Sequence, residues 1–182
     1  MDPLDIIKNL PEEVEEKPSR FKKIFLIIVS ILILLLFLTY LLTNSNILYR
    51  IIGLSESSTI KDNVISINET NFAVFQGSTY QELIEYYNQN KEKEFKVCLN
   101  GIIDEGNYMI NEVYKTEIIS QTYTEVVSNP CPKDTIIDLH SHPYRSCLAS
   151  DQDLKNLENN NIGQPWLIMA IMCEKQRFNF YL

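Results

Sequence analysis

The sequence predicts an α/β fold, a mixed β-sheet flanked by helices and preceded by a single transmembrane helix. Residues 24–42 carry no charge and are nearly all Ile, Leu, Phe and Val. Beyond residue 63, short apolar or alternating runs separated by turn residues are typical of strands. Two stretches, near residues 78–89 and 150–158, show helical spacing or helix-start signals. A chain of 182 residues has room for one such domain with appendages.

These observations divide the chain into four segments. We expect a polar tail over residues 1–23, a transmembrane helix over 24–43, a linker over 44–62 and the α/β domain over 63–182. The tail has too few apolar residues to form a core, which favours a disordered or weakly helical segment. The linker is rich in Ser, Thr and Asn, and its apolar patch at 47–52 suits a membrane interface.

The apolar segment predicts a protein held in a lipid bilayer. Its 19 uncharged residues would cross a hydrocarbon layer of about 30 Å at about 1.5 Å per residue. A buried core helix would show a polar face, and a cleaved signal peptide would be followed by a small-residue cleavage site; neither is present. Four Lys/Arg crowd the seven preceding residues, whereas Arg50 alone follows closely. The positive-inside rule then predicts a cytoplasmic N-terminus and an extracytoplasmic domain.

The domain's elements follow in order. Strands are predicted at residues 64–75, 95–103, 108–114, 117–127, 135–139, 166–173 and 177–182. A helix begins at Ser78, where Ser78-x-x-Gln81 has the form of a capping box, and a second runs over 150–158. The stripe Tyr80, Leu83, Ile84 and Tyr87 predicts the first helix's core face. The apolar run 166–173 is typical of a central strand.

Charge excludes one class of partner. The net charge is −8, and acidic residues outnumber basic ones across 44–182 without any basic stripe. Nucleic acid is therefore not an expected partner.

The two histidines of the chain lie at the end of the apolar run 135–139. His140 and His142 are two residues apart, so on a strand both imidazoles point to one side. Ser150 begins a helix and Asp153 falls in its first turn. Two imidazoles and a carboxylate are the protein ligands of a catalytic zinc with an open fourth position. Two plainer readings remain: Ser150-x-x-Asp153 as a capping box alone, and the histidines as polar surface.

The spacing of these residues resembles the signature of the JAMM (MPN+/JAB) metallopeptidases. The motif is His140-Ser141-His142, the seven residues 143–149, Ser150, two more residues and Asp153. That family has a catalytic glutamate at the start of an upstream strand, with a glycine seven residues later. Glu94 and Gly101 fit this pattern, and Glu92 is the weaker rival. The resemblance covers roughly residues 64–182, and it implies the JAMM/MPN fold.

Two positions depart from the family pattern. Val97 stands where many members have a small residue, three after the glutamate. Asp138 stands where an aromatic or apolar residue is usual, and it shares the histidines' face. It is either a hydrogen-bond partner of the histidines or a solvated carboxylate at a strand end. Neither departure removes a ligand, so both bear on substrate preference more than on metal binding.

The resemblance also implies a reaction. Zinc on the three ligands would activate water for the hydrolysis of peptide or isopeptide bonds, with ubiquitin-like conjugates among the substrates of such enzymes. Glu94 would be the general base, and the Ser150 hydroxyl would stabilise the oxyanion. Pro143, Tyr144 and Arg145 would shape the cleft, although Tyr144 could equally be a packing residue. Nothing in the residues themselves selects a substrate, and two other classes stay open: a catalytically silent JAMM-like scaffold and a membrane-tethered binding module.

The four cysteines contain no Cys-x-x-Cys pair, so a structural zinc site is not indicated. Disulfides are permissible in an extracytoplasmic domain. Cys131 and Cys147 flank the motif strand and its loop, and our hypothesis is one disulfide between them. Cys98 and Cys173 lie in apolar strands, where a buried thiol is usual.

Overall fold

The computed structural model describes residues 19–43, 45–143 and 146–182; the side chains of residues 45, 46 and 161 are not described. Most of the predicted polar tail, residues 1–18, lies outside the described residues, as do Tyr144 and Arg145. The chain divides into two compact units, Met1–Asn44 and Ser45–Leu182.

The described part of the first unit is one long helix, α1 (Arg20–Thr43). Its 24 residues reach a mean hydropathy of 3.1 over their most apolar window, and none of that window is buried. At about 1.5 Å per residue the helix is about 36 Å long. By length and composition it could cross a membrane, and a signal sequence near an N-terminus would have the same properties.

The second unit is a mixed α/β domain. Its elements are α2 (Ser45–Glu56), β1 (Ser58–Thr59), β2 (Val64–Ser66), β3 (Phe72–Phe75), α3 (Thr79–Gln89), β4 (Lys96–Asp104), β5 (Asn107–Lys115), β6 (Ile118–Gln121), β7 (Val126–Ser128), β8 (Thr135–Ser141), α4 (Asp151–Asn161), β9 (Ile168–Glu174) and β10 (Arg177–Tyr181). Eight strands form one sheet in the order β1-β10-β9-β8-β4-β5-β3-β2, and β6 and β7 form a separate hairpin. Strand β8 runs parallel to β9 and antiparallel to β4. The predicted mixed sheet with flanking helices is confirmed.

Strand β8 lies inside this sheet, and all seven of its residues are buried. Because successive side chains alternate between faces, Ile137 and Leu139 join the apolar core that includes Leu83 of α3. Asp138 and His140 face the other side, where they line a cleft. The predicted core stripe of α3 is confirmed, since Leu83 is fully buried and its three companions pack against the same core.

Gly101 occupies a bulge where the register of β4 against β5 shifts. A Cβ atom at this position would overlap the carbonyl oxygen of Met109 on β5. Only glycine allows so close an approach of two backbones. The glycine of the predicted motif therefore has a backbone role within β4, the strand that Glu94 precedes.

Two predicted strands are each a pair of strands joined by a turn. Residues 64–75 form the antiparallel strands β2 and β3, with Asn68 Oδ1 accepting the backbone N–H groups of Thr70 and Asn71 at 2.9 Å. Residues 117–127 contain β6 and β7, whose turn is closed by Thr122 N–H donating to the Glu125 carbonyl at 2.8 Å. Neither turn contains Gly or Pro, so the sequence lacked the strongest turn signals.

The region expected to be a linker contains a helix of the domain. Helix α2 (Ser45–Glu56) belongs to the second compact unit, and Gly53 packs closely against Cys147 and Leu148. Arg177 Nη1 donates to the Leu54 carbonyl at 3.2 Å. A second difference concerns α3: Ser78 is its N-cap residue but makes no side-chain capping hydrogen bond, so the predicted capping box does not form.

The predicted disulfide Cys131–Cys147 is wrong. The structure pairs Cys98 with Cys131 and Cys147 with Cys173, with Cα–Cα distances of 5.7 and 5.0 Å. Cys131 and Cys147 lie beyond opposite ends of β8, which spans about 23 Å at about 3.3 Å per residue. A disulfide requires Cα atoms within about 7 Å. Two cysteines at opposite ends of the same strand are therefore too far apart to pair. Their partners, Cys98 and Cys173, lie on the neighbouring strands β4 and β9.

Candidate metal site and cleft

The end of β8 and the start of α4 bring the three predicted metal ligands together. Each of His140, His142 and Asp153 offers a ligand atom, and these atoms lie within 4.8 Å of one another. His140 Nε2 is 3.3 Å from Asp153 Oδ1, and His142 Nε2 is 3.5 Å from Asp153 Oδ2. The side chains are 9%, 10% and 19% exposed, so the cluster is largely withdrawn from water.

The donor set fits a divalent cation. His140 Nε2 is the one buried side-chain polar atom without a hydrogen-bond partner among residues 19–43, 45–143 and 146–182. Its contact with Asp153 Oδ1, at 3.3 Å, is an ion pair only when the ring is protonated. An unsatisfied buried polar group costs about 1–3 kcal/mol, and such groups in native proteins call for a ligand or ion. Two imidazole nitrogens and one carboxylate oxygen suit zinc.

His142 is oriented by main-chain groups on both sides. Its Nδ1 lies 3.2 Å from the Ser146 carbonyl oxygen. Because a carbonyl can only accept, the proton of the neutral ring lies on Nδ1, which leaves the Nε2 lone pair for a cation. The backbone N–H of His142 donates to the Met172 carbonyl on β9 at 3.2 Å.

Ser150 caps α4 and holds the carboxylate of Asp153. The Ser150 hydroxyl and backbone N–H donate to Asp153 Oδ2 at 2.7 and 2.8 Å, and Asp153 N–H donates to Ser150 Oγ at 3.2 Å. The capping box therefore forms, and it also turns Oδ1 toward His140. Burial by itself raises the pKa of Asp153, but the adjacent histidine rings and the Ser150 hydroxyl bring it well below its usual range. The carboxylate is thus charged.

Glu94 enters the same cleft from the segment before β4. It is 9% exposed, and its Oε1 is 3.9 Å from His142 Nε2. Burial raises the pKa of Glu94 to about 7, against the lowering effect of His142. The rival Glu92 is exposed and does not line the cleft. Of the two candidate glutamates, the fold brings Glu94 to the histidines.

The main chain of Glu94 is held by the β6–β7 hairpin. Its N–H donates to the Thr122 carbonyl at 2.8 Å, and its carbonyl accepts from Gln121 Nε2 at 2.7 Å. Ser141, between the two histidines, is bonded to the residue that follows Glu94, because Phe95 N–H donates to Ser141 Oγ at 3.0 Å. Sequence reasoning gave these residues no role. The position of Ser141 between two candidate ligands is the one signal that pointed to it.

Asp138 has a partner that the sequence did not suggest. Asp138 Oδ2 forms an ion pair with Lys96 Nζ at 2.7 Å, so this carboxylate is neither solvated nor paired with a histidine. Lys96 lies opposite His140 in the register of β4 and β8. Its position two residues after Glu94, on the same face of the strand, is the signal that could have identified it.

These groups line a cleft of about 1230 Å³. Its walls are the β6–β7 hairpin, α4 and part of α2, and its floor includes Lys96, Asp138 and Met169. Drug-sized ligand pockets hold about 300–1,000 Å³, so this cleft is larger than a typical small-molecule site. Pro143 lines it as expected, whereas Tyr144 and Arg145 lie outside the described residues.

Comparison with protein-family models and with curated proteins found no match. The class of the protein is therefore defined by its own fold and side chains: a mixed α/β domain with a His-His-Asp cluster and a buried glutamate in one cleft, and an apolar helix near the N-terminus.

Proposed function

We propose that this protein is a membrane-anchored zinc metallopeptidase of the JAMM type that hydrolyses peptide or isopeptide bonds. The observation that carries the proposal is the convergence of four side chains distant in sequence. His140, His142 and Asp153 present ligand atoms to one point, and the carboxylate of Glu94 lies beside them. A capping box or a polar surface requires no such convergence, and neither explains the unpartnered His140 Nε2.

His140, His142 and Asp153 would hold the zinc. When bound there, zinc would supply Lewis acidity, which polarises a carbonyl group and lowers the pKa of water to about 7. The hydrogen bond between His142 Nδ1 and the Ser146 carbonyl places the proton of the neutral ring on Nδ1, so Nε2 would face the zinc. Ser150 keeps the Asp153 carboxylate turned toward the histidines. These residues maintain the ligand set.

Glu94 would move the proton. Hydrolysis forms a bond between a water oxygen and the scissile carbonyl carbon and breaks the bond to the leaving nitrogen. The carboxylate of Glu94 accepts a proton from the water and delivers it to the departing amine. Burial raises the pKa of Glu94 to about 7 in the metal-free protein, and a bound cation would lower it and favour the charged form that accepts the proton.

Ser150 has a more constrained part in this mechanism. Its single O–H is donated to Asp153, so stabilisation of an oxyanion would require that O–H to turn away from the carboxylate. The geometry favours Ser150 as a positioning residue for Asp153. The predicted oxyanion role remains a secondary proposal.

The compartment bears on the substrate. We propose that α1 spans the bilayer with its N-terminus in the cytoplasm and the domain outside. All cysteines of the described residues are paired in disulfides, which supports an oxidising environment independently of the positive-inside rule. An extracytoplasmic domain favours cell-surface proteins or peptides as substrates over cytosolic ubiquitin-like conjugates.

Metal content and turnover of the full-length chain in detergent test the proposal. We expect near one zinc per chain by elemental analysis, and cleavage of a mixture of peptides and Lys-branched isopeptides read by mass spectrometry. Glu94→Gln should keep zinc and lose about 10²–10⁴-fold in turnover. His142→Ala should lose both. A folded wild-type chain without zinc, or undiminished hydrolysis by Glu94→Gln, would contradict the proposal.

A further inference from the structure

We infer that the Cys147–Cys173 disulfide is a clamp that positions His142 and thereby sets the metal affinity of the site. The inference rests on the proposed function, because zinc is the ligand whose binding it controls. It assigns a role to two residues that the metal site does not itself contain.

The first half of the clamp acts on the ring of His142. The Ser146 carbonyl, to which Nδ1 donates at 3.2 Å, belongs to the peptide group that joins Ser146 to Cys147. A peptide group is planar and stiff. Fixing the Cα of Cys147 therefore restricts the carbonyl that selects the tautomer of His142.

The second half acts on the main chain of the same residue. The backbone N–H of His142 donates to the Met172 carbonyl at 3.2 Å, and this carbonyl belongs to the peptide group that joins Met172 to Cys173. Each half-cystine thus directly follows a carbonyl that holds His142. The disulfide therefore links the two peptide groups that are hydrogen-bonded to His142.

Burial makes the clamp rigid. Cys147 and Cys173 are 0% and 1% exposed, and Asn179 Nδ2 donates to the Cys147 carbonyl at 2.9 Å. The clamped segment also leads to the third ligand, since Cys147 lies six residues before Asp153. Loss of the disulfide would free the backbone between the histidines and the capping box. The distances from His140 and from His142 to the Asp153 carboxylate would then vary more.

The other disulfide provides a matched control. Cys131 precedes β8, at the end of that strand away from the histidines, and Cys98 lies opposite Asp138 rather than opposite a ligand. The two bridges join residues 33 and 26 apart, so their effects on the entropy of the unfolded chain are similar. A general loss of stability would therefore appear in both variants, and a positioning effect in one.

The experiment compares the full-length wild type in detergent with two double variants, Cys147→Ala/Cys173→Ala and Cys98→Ala/Cys131→Ala. Alanine is used because free thiolates bind zinc themselves. Zn²⁺ affinity is measured by competition with a chromophoric chelator, and Co²⁺ absorption reports the coordination geometry. Near-UV circular dichroism checks the fold of each variant.

We expect the first variant to lose about 10–100-fold in Zn²⁺ affinity and to change its Co²⁺ spectrum, while the second keeps both. Equal affinities, or equal losses in the two variants, overturn the clamp and leave the proposed function intact. Failure of the wild type to bind Zn²⁺ overturns both. If the first variant does not fold, its place is taken by Cys147→Ala/Cys173→Val, in which valine refills the volume in β9. The same loss of Zn²⁺ affinity is then expected of it.

Discussion

The two faces of the central sheet are made from the same strands but from opposite kinds of side chain. On β8, Ile137 and Leu139 enter the apolar core beneath α3, while Asp138 and His140 line the cleft. All four are buried, so burial alone does not distinguish the faces. On β8 the core face contributes apolar packing to the cluster beneath α3, and the cleft face holds polar groups in fixed positions.

Adjacent substitutions on β8 should have the largest and most different effects. Leu139→Ala opens a cavity in a fully buried site and should cost about 2–5 kcal/mol of unfolding free energy. His140→Ala, one residue on, should abolish zinc binding while the metal-free chain loses far less stability. Denaturant titration and zinc analysis of both variants measure the contrast. Similar losses of stability would show that the two faces do not divide fold from site.

The Lys96–Asp138 ion pair tests the difference between the two faces further, because it is polar, lies on the cleft face and includes none of the candidate metal ligands. Lys96→Met leaves a carboxylate only 11% exposed without its cation, and should cost about 1–3 kcal/mol. Adding Asp138→Leu should recover much of that loss, since replacing both partners removes the unpaired charge. A denaturation double-mutant cycle measures the recovery. Additive losses would contradict this account.

Ser150 should show a small effect on stability and a larger one on metal binding. Ser150→Ala removes the capping hydroxyl of α4 and should cost about 1 kcal/mol. It also releases Asp153 Oδ2, so Zn²⁺ affinity should fall about 10-fold or more. Ser150→Thr keeps the hydroxyl and is the control. If the two variants bind zinc alike, the hydroxyl does not position the carboxylate.

The smallest effect is expected at Glu92. This residue is exposed and outside the cleft, so Glu92→Gln should change stability by no more than about 0.5 kcal/mol and leave hydrolysis unchanged. The same change at Glu94 is the one expected to stop turnover. Parallel progress curves of the two variants make the comparison, and a loss of rate at Glu92 would weaken the assignment of Glu94.

The parts of the site predictable from sequence are those set by local geometry. His140, His142 and Asp153 lie within 14 residues of one another, on a strand end and a helix start whose periods are regular. Glu94 is distant in sequence, and it was found through the glutamate–glycine spacing of a resembling family. The glycine itself has a backbone cause, because it lies at the bulge of β4, where a Cβ atom would overlap the Met109 carbonyl oxygen.

What sequence could not predict depends on tertiary placement. The partners of Cys131 and Cys147 are set by the order of β4, β8 and β9, which no local pattern records. The β6–β7 turn has no Gly or Pro, so residues 117–127 resembled one strand. Helix α2 is stabilised by contacts at Gly53 and Arg177, and its own composition is that of a linker.

The β6–β7 hairpin is separate from the main sheet, and it hydrogen-bonds both the N–H and the carbonyl of Glu94, which lies just before β4. The hydrogen bonds of the candidate ligands described above go instead to Ser146, Met172 and Ser150. If the proposed function holds, a change in the length of this hairpin would shift Glu94 more than His140, His142 and Asp153. Mutations in the hairpin would then change the reaction rate, and mutations around the histidines would change metal retention.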